Sequence, residues 1–343
     1  MLRKSRLGRT NLEVTRWGLG GIPLSTIMGG TTEEAIAEVI TAALDYGINY
    51  IDTSRVYMDS ETNLGAVLKD RRNDCIIASK SYSRTYDEVR ADLDESLAQL
   101  QTGHIEILQV HALYPHEVAA FMARGGGMDA FRKARQEGII DFIGLTSHHI
   151  SVLVELARTG EFDTVMYPFN VIEREAGHEL LALARSLDIG SIVMKPIAGG
   201  AIHNTQKAFR FFNAYPVDII LNGVASVAQF KENIACAEIE EALSPEELAA
   251  FEQEVAPLGT EFCRRCGYCM PCPNDIRVPD MVHIFYQAVQ GIPVGELPPD
   301  RLEVGRGLLM WMQSCEGCGL CEKRCPYNLP TRKRVKELIE KFS

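Results

Sequence analysis

The chain has 343 residues, 46% hydrophobic and 24% charged, the proportions of an ordinary globular protein, which exclude wholesale disorder and collagen-like structure. At roughly 100–200 residues per domain, two domains or one large barrel with an appendage are expected. The net charge of −11 argues against a nucleic-acid partner, and no apolar run approaches the ~20 residues that cross a bilayer.

Along the first 258 residues, short apolar runs alternate with longer amphipathic ones. Eight runs have the length and composition of strands: Trp17–Ile22, Asn49–Thr53, Cys75–Lys80, Ile105–His111, Ile139–Thr146, Thr164–Phe169, Ser191–Pro196 and Val217–Asn222. Strands buried on both faces are apolar throughout rather than alternating. Between them lie helical patterns. Thr32–Tyr46 has a threonine N-cap, acids at Glu33 and Glu34, and apolar Ile36, Val39, Ile40 and Ala43 on one side. Tyr86–Leu100 and Glu175–Leu187 are similar. Gly47, Gly103, Gly138, Gly160 and Gly190 follow helices just before strands, where a left-handed C-cap is expected. Leu243-Ser244-Pro245-Glu246-Glu247 has the cap, the first-turn proline and the acids of a helix start.

Eight strand–helix units in about 250 residues predict an α/β fold, a TIM (β/α)8 barrel. A doubly wound sheet is the competing fold. It normally carries Gly-x-Gly-x-x-Gly after its first strand, whereas Gly18-Leu-Gly20-Gly21-Ile-Pro23 lacks the third glycine.

Barrel chemistry sits at the C-terminal ends of the strands. The second candidate strand ends at Asp52, with Tyr57 beyond it; the third ends at Lys80 and the fourth at His111. Singly, each has a plain structural role open to it, as a cap, a loop aromatic, a solvated amine or a satisfied polar residue. Jointly, an acid, a phenol, an amine and an imidazole from three consecutive strands converge on one rim. A phenol with pKa near 10 is a poor acid–base catalyst at neutral pH, and an adjacent ammonium favours its phenolate. Asp52 would hold Lys80 charged, Tyr57 would protonate a carbonyl oxygen as hydride reaches its carbon, and His111 would orient that carbonyl.

The motifs Arg6-Leu-Gly8-Arg-Thr10, Gly47-Ile-Asn-Tyr-Ile-Asp52-Thr53 with Tyr57 and Glu61, Ile76-Ile-Ala-Ser-Lys80 and Ile105-Glu-Ile-Leu-Gln-Val-His111 resemble those of the aldo-keto reductases, over about three quarters of the chain. The resemblance implies NADPH or NADH bound across the barrel rim, a catalytic tetrad matching Asp52, Tyr57, Lys80 and His111, and an aldehyde, ketone or alcohol substrate. It also implies nucleotide contacts at Gly20, Thr146, Ser147, Asn170, Lys195 and Pro196; the family's basic residues for the adenosine phosphate are not evident around Gly223–Asn233, which leaves Ser226, Gln229 and Asn233 as candidates, and Gly199-Gly200 either admits phosphate near the backbone or forms a plain loop. The chain departs from the family there. Gly144-Leu-Thr146-Ser147-His148 stands for the usual Gly-x-Ser-Asn-Phe, Met166 for a glutamine, and Met194 for the aromatic ring that often stacks on nicotinamide. His148 and His149 are expected to serve the loop or the helix cap rather than a metal.

The ten cysteines fall into two populations. Cys75 and Cys236 lie in the barrel segment as small apolar residues; the other eight lie between Cys263 and Cys325. Charge changes at the same place. From residue 259 onward there are 12 basic and 10 acidic residues, leaving 23 and 36 before it, so the expected domains are 1–258 and 259–343. The opening MLRKSRLGRT lacks the hydrophobic segment of a secretory signal, which points to a cytoplasmic protein and away from disulfides. The two motifs are Cys263-Arg-Arg-Cys266-Gly-Tyr-Cys269-Met-Pro-Cys272-Pro273 and Cys315-Glu-Gly-Cys318-Gly-Leu-Cys321-Glu-Lys-Arg-Cys325-Pro326. The second is the ferredoxin run C-x2-C-x2-C-x3-C-P, and the first is one residue shorter before its last cysteine. Zinc would be expected at paired C-x2-C; triplets followed by Cys-Pro favour [4Fe–4S].

The segment resembles a small, α-helical, two-cluster ferredoxin-like module with helices at Asp280–Gln290 and Arg301–Gln313 around a turn at Ile292–Pro299. In such modules the fourth cysteine serves the other cluster. That implies Cys263, Cys266, Cys269 and Cys325 for one [4Fe–4S] cluster and Cys315, Cys318, Cys321 and Cys272 for the second. Hydride carries two electrons and such a cluster passes one, so either a flavin or a redox partner protein acts as converter, or the two halves are not electronically coupled. The expected function is therefore an NAD(P)H-linked oxidoreductase. The alternative is an electron-transfer protein whose barrel is a docking scaffold or binds another redox cofactor.

Overall fold

The computed structural model describes residues 2–29, 31–260, 263–264, 267–279 and 312–342. Two compact units are present: Met1–Pro196 with Asn204–Pro245, and Ile197–His203 with Glu246–Ser343.

The first unit opens on an antiparallel hairpin, β1 (Lys4–Arg6) and β2 (Glu13–Thr15), with Ser5 opposite Val14. Eight strands follow: β3 (Trp17–Gly20), β4 (Tyr50–Asp52), β5 (Ile76–Ser81), β6 (Ile105–Val110), β7 (Ile140–Thr146), β8 (Thr164–Pro168), β9 (Gly190–Met194) and β10 (Ile219–Asn222). Each pairs in parallel with the next, and β10 pairs with β3 to close the barrel. The eight expected strands are all present, with ends shifted by a few residues. The interior is filled by Tyr50, Ala78, Ile107, Met166, Ile192, Ile219 and Leu221, and the hairpin adds Leu7 and Val14. Asn49, just before β4, accepts from Thr15 N through its side-chain oxygen at 2.7 Å, so the hairpin sits at the N-terminal end of the strands, opposite the expected chemistry.

The helix Glu33–Tyr46 forms as expected, with Thr32 accepting from Ala35 N at 3.3 Å. Tyr86–Gln99 and Pro245–Val255 also match. The expected Glu175–Leu187 helix is broken into a short 3-10 turn at Glu175–Gly177 and a helix at Leu180–Ser186. Gly47, Gly138 and Gly160 adopt the left-handed caps expected of them, but Gly103 and Gly190 do not; Gln101 and Asp188, two residues earlier, take that conformation. Gly190 has a different reason to be glycine: a Cβ there would lie 2.8 Å from the Leu7 side chain, at the barrel's plugged end. At Gly47 φ is +98° and nothing lies within 4 Å of an added Cβ, so the cost of a side chain is purely conformational. Gly47→Ala is expected to lower stability by about 1–2 kcal/mol, read as a reduced urea midpoint of the barrel's far-UV circular dichroism.

The second unit is built around Cys263, Ile276, Val278, Met312, Leu329 and Val335. Its described helices include Leu320–Lys323 and Thr331–Phe342. Cys266, the helix expected at 280–290, the turn at 292–299 and most of the helix expected at 301–313 lie outside the described residues.

Candidate active site and cysteine module

Asp52 is the last residue of β4 and faces the barrel interior, where it is buried. Lys80 lies on neighbouring β5, one residue from its end, and is also buried. The Lys80 ammonium donates to Asp52 Oδ1 and, at 2.6 Å, to Thr53 O. Gln109 on β6 sits in register with Lys80 and donates from Nε2 to Asp52 Oδ2 at 2.8 Å. Burial pushes the Asp52 carboxyl up, against the Lys80 ammonium and the Gln109 amide. Burial also opposes the Lys80 charge, but the Asp52 carboxylate and the Tyr57 hydroxyl outweigh it and hold the amine above its usual value. A buried charge requires such partners.

Tyr57 stands on the loop after β4, partly exposed, with Lys80 Nζ 4.8 Å from its ring centroid. Lys80 hydrogen-bonds to its side chain. His111 immediately follows β6. Its ring packs edge-on against Tyr57 and Tyr82, with both centroid distances 5.7 Å. Ser54 Oγ faces His111 Nδ1 at 2.9 Å. The structure thus brings all four expected residues together.

Gln109 and Ser54 are participants that the strand-end pattern did not single out. Gln109 interrupts an apolar run, Ile105-Glu-Ile-Leu-Gln-Val, and that interruption was the available signal. A hydrogen bond to a charged group contributes about 1.5–3 kcal/mol. Gln109→Leu removes the Asp52 donor at similar volume and is expected to lower the urea unfolding free energy by about that much. Beneath the rim, Glu61 is fully buried, accepts from Ser79 Oγ at 2.5 Å and pairs with Arg55, fixing the loop that carries Tyr57 to β5.

The nucleotide residues are placed less uniformly. Thr146 Oγ1, at the end of β7, accepts from Ala112 N at 2.8 Å. Ser147 donates to Leu113 O at 2.7 Å and accepts from His149 N at 3.0 Å. Asn170 donates to Glu173 and Lys195 O and accepts from Ile172 N and Glu173 N. Both side chains are committed to the chain itself. Gly20 ends β3 beside Asp52, and an added Cβ would come 3.3 Å from Gly223 N. Lys195, before Pro196, has φ +58°, and Gly199 and Gly200 have φ +67° and +96°. Ser226 caps the helix Val227–Ala237 by accepting from Gln229 N, while Gln229 Oε1 accepts from Ala225 N. Asn233 lines a small cleft with Trp17, Leu19 and Phe230. Of the expected nucleotide residues, Ser147 and Asn170 are thus turned inward, and Thr146 is itself buried.

His149 is at the N-cap of Ile150–Ala157, but its side chain makes no cap bond. Instead it is buried against Tyr114, at 5.6 Å between ring centroids, and burial holds it below its usual value. Burial likewise raises the Cys75 thiol to about 12, which suits an inert core residue.

In the second unit, a hollow is lined by Cys269, Cys272, Cys315, Cys318 and Cys321, with apolar Ile276, Val278 and Val335 in its wall. Soft thiolates in an apolar shell suit iron–sulfur clusters. Among the described residues, no three Cys, His, Asp or Glu side chains converge as ligands of a single ion. Gly267, Gly317 and Gly319 have φ +79°, +69° and +75°, the turns that the tight cysteine spacing requires. The two motifs repeat one another in three dimensions. After Cys272-Pro273, Asp275 has φ +53° and its N–H returns to Cys272 O; after Cys325-Pro326, Asn328 has φ +54° and returns to Cys325 O. The motifs are tied together by Asn274 donating to Ser314 O and by Arg324 donating to Pro271 O at 2.9 Å.

Comparison with known proteins agrees with this geometry. Residues 16–213 match the aldo/keto reductase family, and residues 262–330 match a 4Fe-4S dicluster domain. The uncharacterized oxidoreductase YqkF of Bacillus subtilis is 23% identical over 305 residues, spanning 73% of this chain and 96% of that protein. L-galactose dehydrogenase of Arabidopsis thaliana is 30% identical over 211 residues, 57% of this chain and 66% of that one. Among solved structures, the holo form of aldo-keto reductase AKR11C1 from Bacillus halodurans superposes with a TM-score of 0.64 at 22% identity, covering 74% of this chain and 96% of that one. With more than half of its length matched and its eight parallel strands closed into the same barrel, the chain belongs to the aldo/keto reductase family and carries a 4Fe-4S dicluster domain toward its C-terminal end.

Proposed function

We propose that the barrel reduces aldehydes or ketones with NADPH or NADH, and oxidises the corresponding alcohols, at Asp52, Tyr57, Lys80 and His111. The observation that carries this reading is the buried Asp52–Lys80 pair set against the Tyr57 ring, with His111 packed on the same ring. The nucleotide, when bound near Thr146 and Gly20, supplies the hydride for the carbonyl carbon. Tyr57 gives its proton to the carbonyl oxygen, so that C=O becomes CH–OH with one hydride and one proton. Lys80 stabilises the phenolate left behind, and Asp52, Thr53 O and Gln109 keep Lys80 in place. Ser54 Oγ lies 2.9 Å from His111 Nδ1; in the tautomer that carries its hydrogen on Nε2, His111 donates to the carbonyl oxygen.

For the second unit we infer two [4Fe–4S] clusters that pass single electrons. Four of the five thiols around the hollow, Cys272, Cys315, Cys318 and Cys321, form one ligand set. Cys263, Cys269 and Cys325 with Cys266 form the other. The Asn274–Ser314 and Arg324–Pro271 links, which bring the two motifs side by side, support that crossing. A flavin or a redox partner protein serves as the two-to-one converter, in a reducing, cytoplasmic setting. The domain boundary at 258/259 is retained as the start of the cluster module.

A second reading, an electron carrier whose barrel is a scaffold or binds another redox cofactor, is favoured by the commitment of Ser147 and Asn170 to internal hydrogen bonds. Anaerobic assay with both nucleotides against a panel of aldehydes and ketones separates the two. Turnover supports the first reading, and its absence across the panel supports the second.

A further inference from the structure

We propose that the Tyr57 site selects carbonyl compounds carrying a large apolar or aromatic group, and disfavours polyhydroxylated ones. This rests on the carbonyl-reductase reading of that site.

Among the described residues of the barrel unit, seven large hydrophobic side chains are exposed. Two, Tyr46 and Leu187, lie at helix ends that lead into the N-terminal ends of strands. The other five, Ile22, Ile27, Val56, Met58 and Tyr82, are 38% to 67% exposed. All five lie on the loops after β3, β4 and β5, the adjacent strands around Asp52, Lys80 and the Tyr57 loop. Scattered exposed hydrophobics need no explanation; a concentration around one polar centre indicates a binding surface.

Hydrogen bonds tie the collar to the barrel. Val56 and Met58 flank Tyr57 in the chain, and Met58 has φ +52°, a conformation that strains a side-chain-bearing residue. The turn is fixed by Tyr57 N to Ser54 O and Ser60 N to Tyr57 O, both 3.0 Å. Next to Met58, Asp59 accepts from Ser25 Oγ and Thr26 Oγ1, both at 2.5 Å, which fastens the Ile27 loop beside the Met58 loop. Tyr82 packs on His111 on one side, and the Arg84 guanidinium lies 4.8 Å from its ring centroid. Arg84 is itself anchored by Glu117 at 3.1 Å and His111 O at 3.0 Å.

The polar inventory of the collar points the same way. Tyr57 and His111 are assigned to the carbonyl oxygen. The Asp59 carboxylate already accepts from Ser25, Thr26 and Asn63, and Arg84 is engaged. Beyond the Tyr82 hydroxyl, sugar hydroxyls entering here would lose water for few partners, whereas an alkyl or aryl group would cover Ile27, Met58 and the Tyr82 ring and bury apolar area on both sides.

The test uses full-chain protein purified anaerobically. kcat/KM is measured with NADPH and with NADH for octanal and 3-phenylpropanal against D-glyceraldehyde. The apolar aldehydes should be preferred by about tenfold or more, and a Met58→Ser/Tyr82→Ser double variant should lose most of that preference. A preference for glyceraldehyde, or a ratio unmoved by the double variant, overturns the proposal. Absence of turnover with every aldehyde would instead contradict the carbonyl-reductase reading. In that case 3-phenylpropanol binding decides the proposal by its effect on the unfolding midpoint: stabilisation lost in the double variant supports it, and the same response in both proteins overturns it.

Discussion

Tyr57→Phe is expected to lower kcat/KM for carbonyl reduction by on the order of 10²–10⁴-fold, the contribution of a positioned general acid, while leaving iron and sulfide contents unchanged. The substitution removes one oxygen and keeps the ring that packs on His111. Loss of activity therefore cannot be ascribed to a collapsed rim, and Lys80 retains Asp52 and Thr53 O as partners. Steady-state kinetics with either nucleotide, alongside iron and acid-labile sulfide assays, measure the effect. Retained activity would remove Tyr57 from the proton-transfer role and leave the Asp52–Lys80 pair as a structural element of the barrel.

The second large effect is on metal content. Anaerobically purified protein should be brown and hold about eight iron and eight sulfide, as two cubanes require. Cys318→Ala should reduce both to about four. Cys318 is the exposed cysteine among those described, so its truncation costs little packing and reports ligand loss rather than misfolding. The remaining cluster should still give its electron paramagnetic resonance signal after reduction. Stoichiometric zinc without sulfide in the parent protein would overturn the cluster assignment.

The barrel was legible because each strand is buried on both faces and therefore apolar, and because helices such as Glu33–Tyr46 announce their ends with Thr32 and Gly47. What escaped was set by tertiary contact. The β1–β2 hairpin has two three-residue strands with only Val14 apolar, too short for a periodic signal, yet it delivers Leu7 and Val14 into the core. Gly190 looked like a helix cap, but it is required by the approach of Leu7. The convergence of Asp52, Tyr57, Lys80 and His111 was visible because strand ends are fixed points of a barrel. Gln109, Ser54 and the Asp59 clamp were not, because their partners lie on other strands or loops. The commitment of Ser147 and Asn170 to the chain itself was equally invisible, although Met166 and Met194 already marked a departure from the family at the nicotinamide contacts. In the second unit the cysteine spacing carried the motif, while the matched turns at Asp275 and Asn328 emerge only in three dimensions.

Hydride from the nucleotide is expected to reach a carbonyl carbon at this rim. The direct measurement is anaerobic turnover with nucleotide deuterated at the transferring position of C4, followed by mass spectrometry of the alcohol formed. One deuterium at the carbinol carbon, absent with Tyr57→Phe, is the predicted result. Nucleotide oxidation with reduced clusters and no deuterium in any alcohol, or no nucleotide oxidation at all, would contradict it.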